Sequence, residues 1–114
     1  MIPARVDLTF RQGSDETKVF VIKDSDGNTF DLTNYSFEFQ AREYVGAEVA
    51  VIESGTNMAI TVDTVAGTVT LVMTNAETAA LDFDTAFWQM EATIGSEKKR
   101  WYQGILTLNK DLVL

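Results

Sequence analysis

Residues 87–108 contain both tryptophans and read as two long strands joined by a tight polar turn, a pairing that restricts what the rest of the chain can do. In 87–94, Trp88, Met90, Ala92 and Ile94 fall on one side and Gln89, Glu91 and Thr93 on the other. A period of two marks a half-buried strand. Gly95, Ser96, Glu97, Lys98 and Lys99 form the expected turn. The return strand, 100–109, puts Tyr102, Gly104, Leu106 and Leu108 on one face and Trp101, Gln103, Ile105 and Thr107 on the other. Apolar residues on both faces predict a central strand with a second covered face, or one that touches a partner chain.

Ahead of this hairpin the same period recurs. Val6, Leu8 and Phe10 alternate with Arg5, Asp7 and Thr9, and Gly13 breaks the run. Residues 16–23 are rich in β-branched and aromatic side chains, with Val19, Phe20, Val21 and Ile22 apolar on both faces, which predicts a strand between two neighbours. A turn follows at Asp24, Ser25, Asp26, Gly27 and Asn28, then a short crossover anchored by Leu32 and Tyr35. Phe37, Phe39 and Ala41 alternate with Glu38, Gln40 and Arg42 in a strand with one wet face. A short strand is expected over 48–52, with Val49 and Val51 on one side, and a hairpin over 58–73.

Thr74 and Glu77 stand at capping-box spacing, which predicts one helical turn over 76–80. Leu81 and Phe83 would pin it as a corner between sheets. Seven or eight short strands, one corner helix, no repeat and no low-complexity linker predict an all-β, antiparallel two-sheet β-sandwich of immunoglobulin-like or related topology. One domain is expected over residues 1–114, a length that buries a core without staples.

Composition narrows the function. There are 17 acidic and 9 basic residues, a formal charge of -8, which disfavours binding to nucleic acid and to anionic membranes. Cysteine and histidine are absent, removing disulfides, thiolate and imidazole metal sites and the usual nucleophilic dyads. No long apolar run and no basic, apolar leader is present, so the chain is expected to be made in a cytoplasm. No enzyme, cofactor or metal is expected. Asp24, Asp26 and Asn28 have oxygen ligands at alternate positions, yet Gly27 and Asp31 fall out of register with a calcium loop, and a plain turn explains them better. Asp82 and Asp84 flank Phe83 in a loop, where solubility accounts for them.

The expected partner-binding residues are Arg5, the basic run Lys98, Lys99 and Arg100 with Trp101 beside it, and the apolar tail Leu112, Val113 and Leu114. The basic run suits a protein partner with an acidic surface. The tail either extends the last strand or pairs with a neighbour's sheet edge. A different expectation is glycan stacking on Trp101, Tyr102 and Tyr44.

The opening segment carries Asp7-Leu8-Thr9, then Gly13, an apolar strand at 19–22, Asp26-Gly27, and Asp31-Leu32-Thr33-Asn34-Tyr35. In that order these motifs resemble the amino-terminal domain family of phage baseplate upper proteins, over about the first 40 residues. A weaker echo lies in the helical turn and strand after Thr74. The resemblance implies a β-sandwich used as a repeated, non-enzymatic building block of a tailed-phage virion, made in the host cytoplasm and bound to other virion proteins. Tail or baseplate placement is the first expectation and capsid decoration the second.

Overall fold

A computed structural model describes residues 4–110. Its strands are β1 (Ala4–Arg5), β2 (Leu8–Arg11), β3 (Glu16–Val21), β4 (Ser36–Arg42), β5 (Ile52–Glu53), β6 (Ala59–Asp63), β7 (Thr68–Met73), β8 (Thr85–Ile94) and β9 (Glu97–Asn109). One helix, α1 (Asn75–Ala79), separates β7 from β8. The strands form two sheets. The larger has the order β1-β9-β8-β4-β5, with β2 also on β9, and the smaller is β3-β7-β6. This is the all-β sandwich with one corner helix that the alternation predicts.

Its core lies between the sheets. Trp88 is stacked on Phe39 at 5.2 Å between ring centroids and meets Phe20 edge-on at 5.9 Å across the interior. Phe10, Met90, Leu106, Val69 and Leu71 close around them, all buried. Such apolar burial is the main stabilising contribution, about 25 cal/mol per Å² removed from water.

The long hairpin has a tighter turn than expected. Ile94 pairs directly with Glu97, so Glu97, Lys98 and Lys99 belong to β9 and only Gly95 and Ser96 turn the chain. Gly95 supplies the positive φ of 59° that such a two-residue turn requires. β9 is central between β8 and the β1/β2 pair, but its second face is not covered, since Arg100, Gln103 and Ile105 line an open groove.

The amino-terminal segment departs from the expected antiparallel pattern and from a single first strand: it pairs parallel to β9, in two pieces. Between them lie Val6 and Asp7, without a shift of register. The Val6 carbonyl enters the space where Gly104 would carry a Cβ, and the Trp88 indole Nε1 donates to that same carbonyl at 2.9 Å. Asp7 Oδ1 accepts from the Ile105 backbone N–H at 3.0 Å. That bond, helped by Arg5, holds the Asp7 carboxyl below its ordinary range. A depressed folded-state pKa adds stability above the unfolded value of about 3.9, and the contribution disappears as pH falls through the folded value. Asp7→Asn should therefore lose stability against the native chain at pH 6, and the gap should close in strong acid. Urea unfolding across that range checks it, and a gap independent of pH would remove Asp7 from this role.

Two strand expectations need correction. β3 is an edge strand, not one between two neighbours: its second apolar set, Val19 and Val21, points to solvent at 58% and 56% exposure. The expected strand over 48–52 shrinks to Ile52–Glu53 on β4, and Val49 is exposed in the preceding loop. The other local signals hold. Asp24 Oδ1 accepts from the backbone of Asp26 and Asn28, each at 2.9 Å, which makes the turn and occupies the carboxylate. Thr74 and Glu77 make the reciprocal capping box, and buried Thr78 donates to the Ser14 carbonyl at 2.7 Å. Leu81 and Phe83 are buried beneath the corner.

Candidate functional site

The structure distributes the expected partner-binding residues over different surfaces. A β-bulge in β9 decides this: Met90 pairs with Tyr102 but Glu91 pairs with Arg100, so Trp101 is the extra residue. A bulge sets two successive side chains on one face. Trp101 therefore turns inward beside Tyr102, against the alternation, and Arg100 turns outward.

Trp101 completes an aromatic cluster at one end of the sandwich. Its ring lies 5.4 Å from Phe30, 5.2 Å from Tyr35 and 5.6 Å from Phe37. Half-buried there, it covers the core instead of standing on an outer face. Tyr102 packs on Phe20 at 4.9 Å, and partial burial raises its phenol pKa. Tyr44 lies in a loop on the outer side of the larger sheet, so the three aromatics expected to bind a glycan share no platform.

The basic run is divided as well. Lys98 faces outward and reaches Glu38 at 3.2 Å, and that hydrogen bond, with Glu91 nearby, pushes the ammonium pKa up. Lys99 faces the opposite way and is paired with Glu97 at 2.8 Å, with the same effect. Arg100 and Arg5 both line an outer groove described below. Leu112, Val113 and Leu114 lie outside the described residues.

The most uniform free surface escaped the sequence reading. Cross-strand register puts Thr17, Val19 and Val21 of β3, Val72, Thr70 and Thr68 of β7, and Ala59, Thr61 and Asp63 of β6 on the outer face of the smaller sheet. Only Asp63, at one corner, is charged. All nine are at least partly exposed. The signal was present in the run of β-branched residues, but only register joins the three strands into one surface.

Among the described residues no three His, Cys, Asp or Glu side chains could hold a metal ion. Asp82 and Asp84 both reach Lys110 Nζ, at 3.4 and 3.3 Å, and are more than nine-tenths exposed. Comparison with protein-family models and with curated proteins finds no match to this chain.

Proposed function

We propose that this protein is a non-enzymatic assembly module of a tailed-phage virion, present in many copies and held by contacts with neighbouring virion proteins. The observation that carries an assembly role is the outer face of β3-β7-β6, which in a chain of charge -8 presents nine positions with one charge. Lack of charge at the centre and charge at the rim is the composition of a protein interface. β3 is also an edge strand, whose outward Val19 and Val21 are exposed while its charged pair, Glu16 and Lys18, lies on the other face. The virion setting comes from the motif order of the first 40 residues. Tail or baseplate is the first placement, capsid decoration the second.

The test is direct. Particles assembled from a phage genome carrying this gene should contain the chain in multiple copies by quantitative mass spectrometry. Val19→Lys with Val21→Lys should leave the isolated chain folded and remove it from particles. Absence of the unaltered chain from purified particles would overturn the virion reading, and normal incorporation of the double variant would overturn the use of this face.

A further inference from the structure

The outer face of the larger sheet holds a groove of about 400 Å³ floored by β4, β8 and β9 and walled by residues 44–46. Cross-strand register arranges its floor in three rows. Glu38, Glu91 and Arg100 form one, Gln40, Gln89 and Gln103 the next, and Arg42, Phe87 and Ile105 the third. Arg5 of β1 extends the glutamine row. Three of the chain's four arginines thus line one groove.

These arginines are held by neutral groups. Arg42 Nη2 donates to Gln40 Oε1 at 3.1 Å and Nη1 to the Ala47 carbonyl at 2.7 Å, while Arg100 Nη1 donates to Gln103 Oε1 at 3.1 Å. Among the described residues neither guanidinium has a carboxylate partner, although acids outnumber bases by 17 to 9. Four of the five lysines do have one. The acids in Arg100's own row make other contacts, Glu38 with Lys98 and Glu91 with the Gln89 amide at 2.8 Å. Arg5 is the exception in the groove, reaching Asp7 at 3.3 Å through Nε alone.

Hydrogen-bond polarity narrows the ligand. Gln40 and Gln103 turn their amide oxygens to arginine, so their amide N–H groups join the guanidinium N–H groups as donors, while Gln89, whose Nε2 donates to Glu91, keeps its oxygen as an acceptor. Carboxylates need donors only, which the two arginines and these amides supply. Gln40 and Gln103 lie two strands apart, roughly 10 Å at the usual strand spacing. An extended peptide presents alternate side chains about 7 Å apart, and flexible glutamate stems span the difference. Phe87, 49% exposed, and Tyr44, 64% exposed, offer apolar surface for those stems.

We infer that this groove docks an extended, glutamate- and aspartate-rich segment of a partner protein, with carboxylates on Arg42 and Arg100. The inference rests on reading the chain as a protein-binding module and names the chemistry of one partner. Charge complementarity argues for that occupant, because Arg42 and Arg100 have no carboxylate partner among the described residues of a protein of charge -8.

Fluorescein-labelled octaglutamate is the probe, titrated at low ionic strength of about 20 mM with anisotropy as readout. The protein's net charge repels this peptide, so binding reports a local site. Binding is expected, with affinity about tenfold weaker in Arg42→Gln/Arg100→Gln and less than about twofold altered in Lys99→Gln. Near-UV circular dichroism confirms the fold of each variant, and the single variant Arg100→Gln, at an exposed position, serves if the double variant unfolds. No binding, or binding that the arginine substitutions leave unchanged, would overturn the proposal. So would tighter, arginine-dependent binding of oligogalacturonate, which would reassign the groove to an acidic glycan. Since the probe needs no virion, absence of the chain from phage particles would leave this result standing.

Discussion

Trp88→Ala is expected to cost about 3 to 5 kcal/mol, the range for removing a large aromatic side chain from a packed core. Trp88 is 2% exposed, stacked on Phe39 and edge-on to Phe20, so its removal opens a cavity where the two sheets meet. The loss also leaves the Val6 carbonyl without its indole donor, a separate penalty of about 1 to 3 kcal/mol where the group stays dry. Trp88→Phe should recover most of the packing and none of the hydrogen bond. Urea unfolding of the two variants separates these contributions. A cost under about 1 kcal/mol for the alanine variant would mean that the face of β8 carrying Trp88 does not face the core.

Gly104→Val should be comparably damaging for the opposite reason. A Cβ at residue 104 would overlap the Val6 carbonyl, which is backbone and cannot swing aside as a flexible side chain could. Overpacking costs about 1 to 3 kcal/mol and sometimes more. Here it also displaces the acceptor of the Trp88 indole. The amino-terminal segment should detach from β9 first, so amide exchange at Val6 and at Ile105, whose N–H is held by Asp7, should accelerate more than exchange in β3-β7-β6. Uniform acceleration across both sheets would show that the segment does not open as a unit.

Much of the fold is legible in the residues because the strands bury one face each. Trp88, Met90 and Ala92 alternate without interruption, and all three are buried. Thr74 and Glu77 mark the corner helix with purely local chemistry. What alternation misses is non-local. Trp101 turns inward because β9 has one residue more than β8 at that point, and a bulge depends on the partner strand. β3 misled because apolar residues on both faces describe what lies above and below a strand, not what lies beside it. Its outer face is uncovered and its edge is open.

The candidate surfaces were harder still. Lys98, Lys99 and Arg100 look like one patch in the sequence, but strand geometry turns Lys99 away from the other two and local acids pair both lysines. The alternation of Glu38, Gln40 and Arg42 reads as an ordinary wet face. Its meaning changes only when Gln89 and Gln103 fall beside Gln40 and when no acid pairs with Arg42 among the described residues. Substituting glutamine for glutamate is nearly silent in a sequence, yet it decides whether a surface keeps its positive charge.

The parallel seating of β1 and β2 on β9 sets how the domain would respond to tension. A pull applied at Ala4 and at Asn109 acts along two strands that run the same way, so it tries to slide one past the other. In that geometry the ladder hydrogen bonds from Ala4 to Arg11 share the load together, whereas a hairpin pulled from its open end loses its bonds one at a time. The link at Val6 and Asp7 strengthens the arrangement, since Asp7 and the Trp88 indole add bonds that slide would have to break at the same moment. Force-spectroscopy pulling through these two positions should meet one abrupt rupture, the response of a shear-loaded ladder.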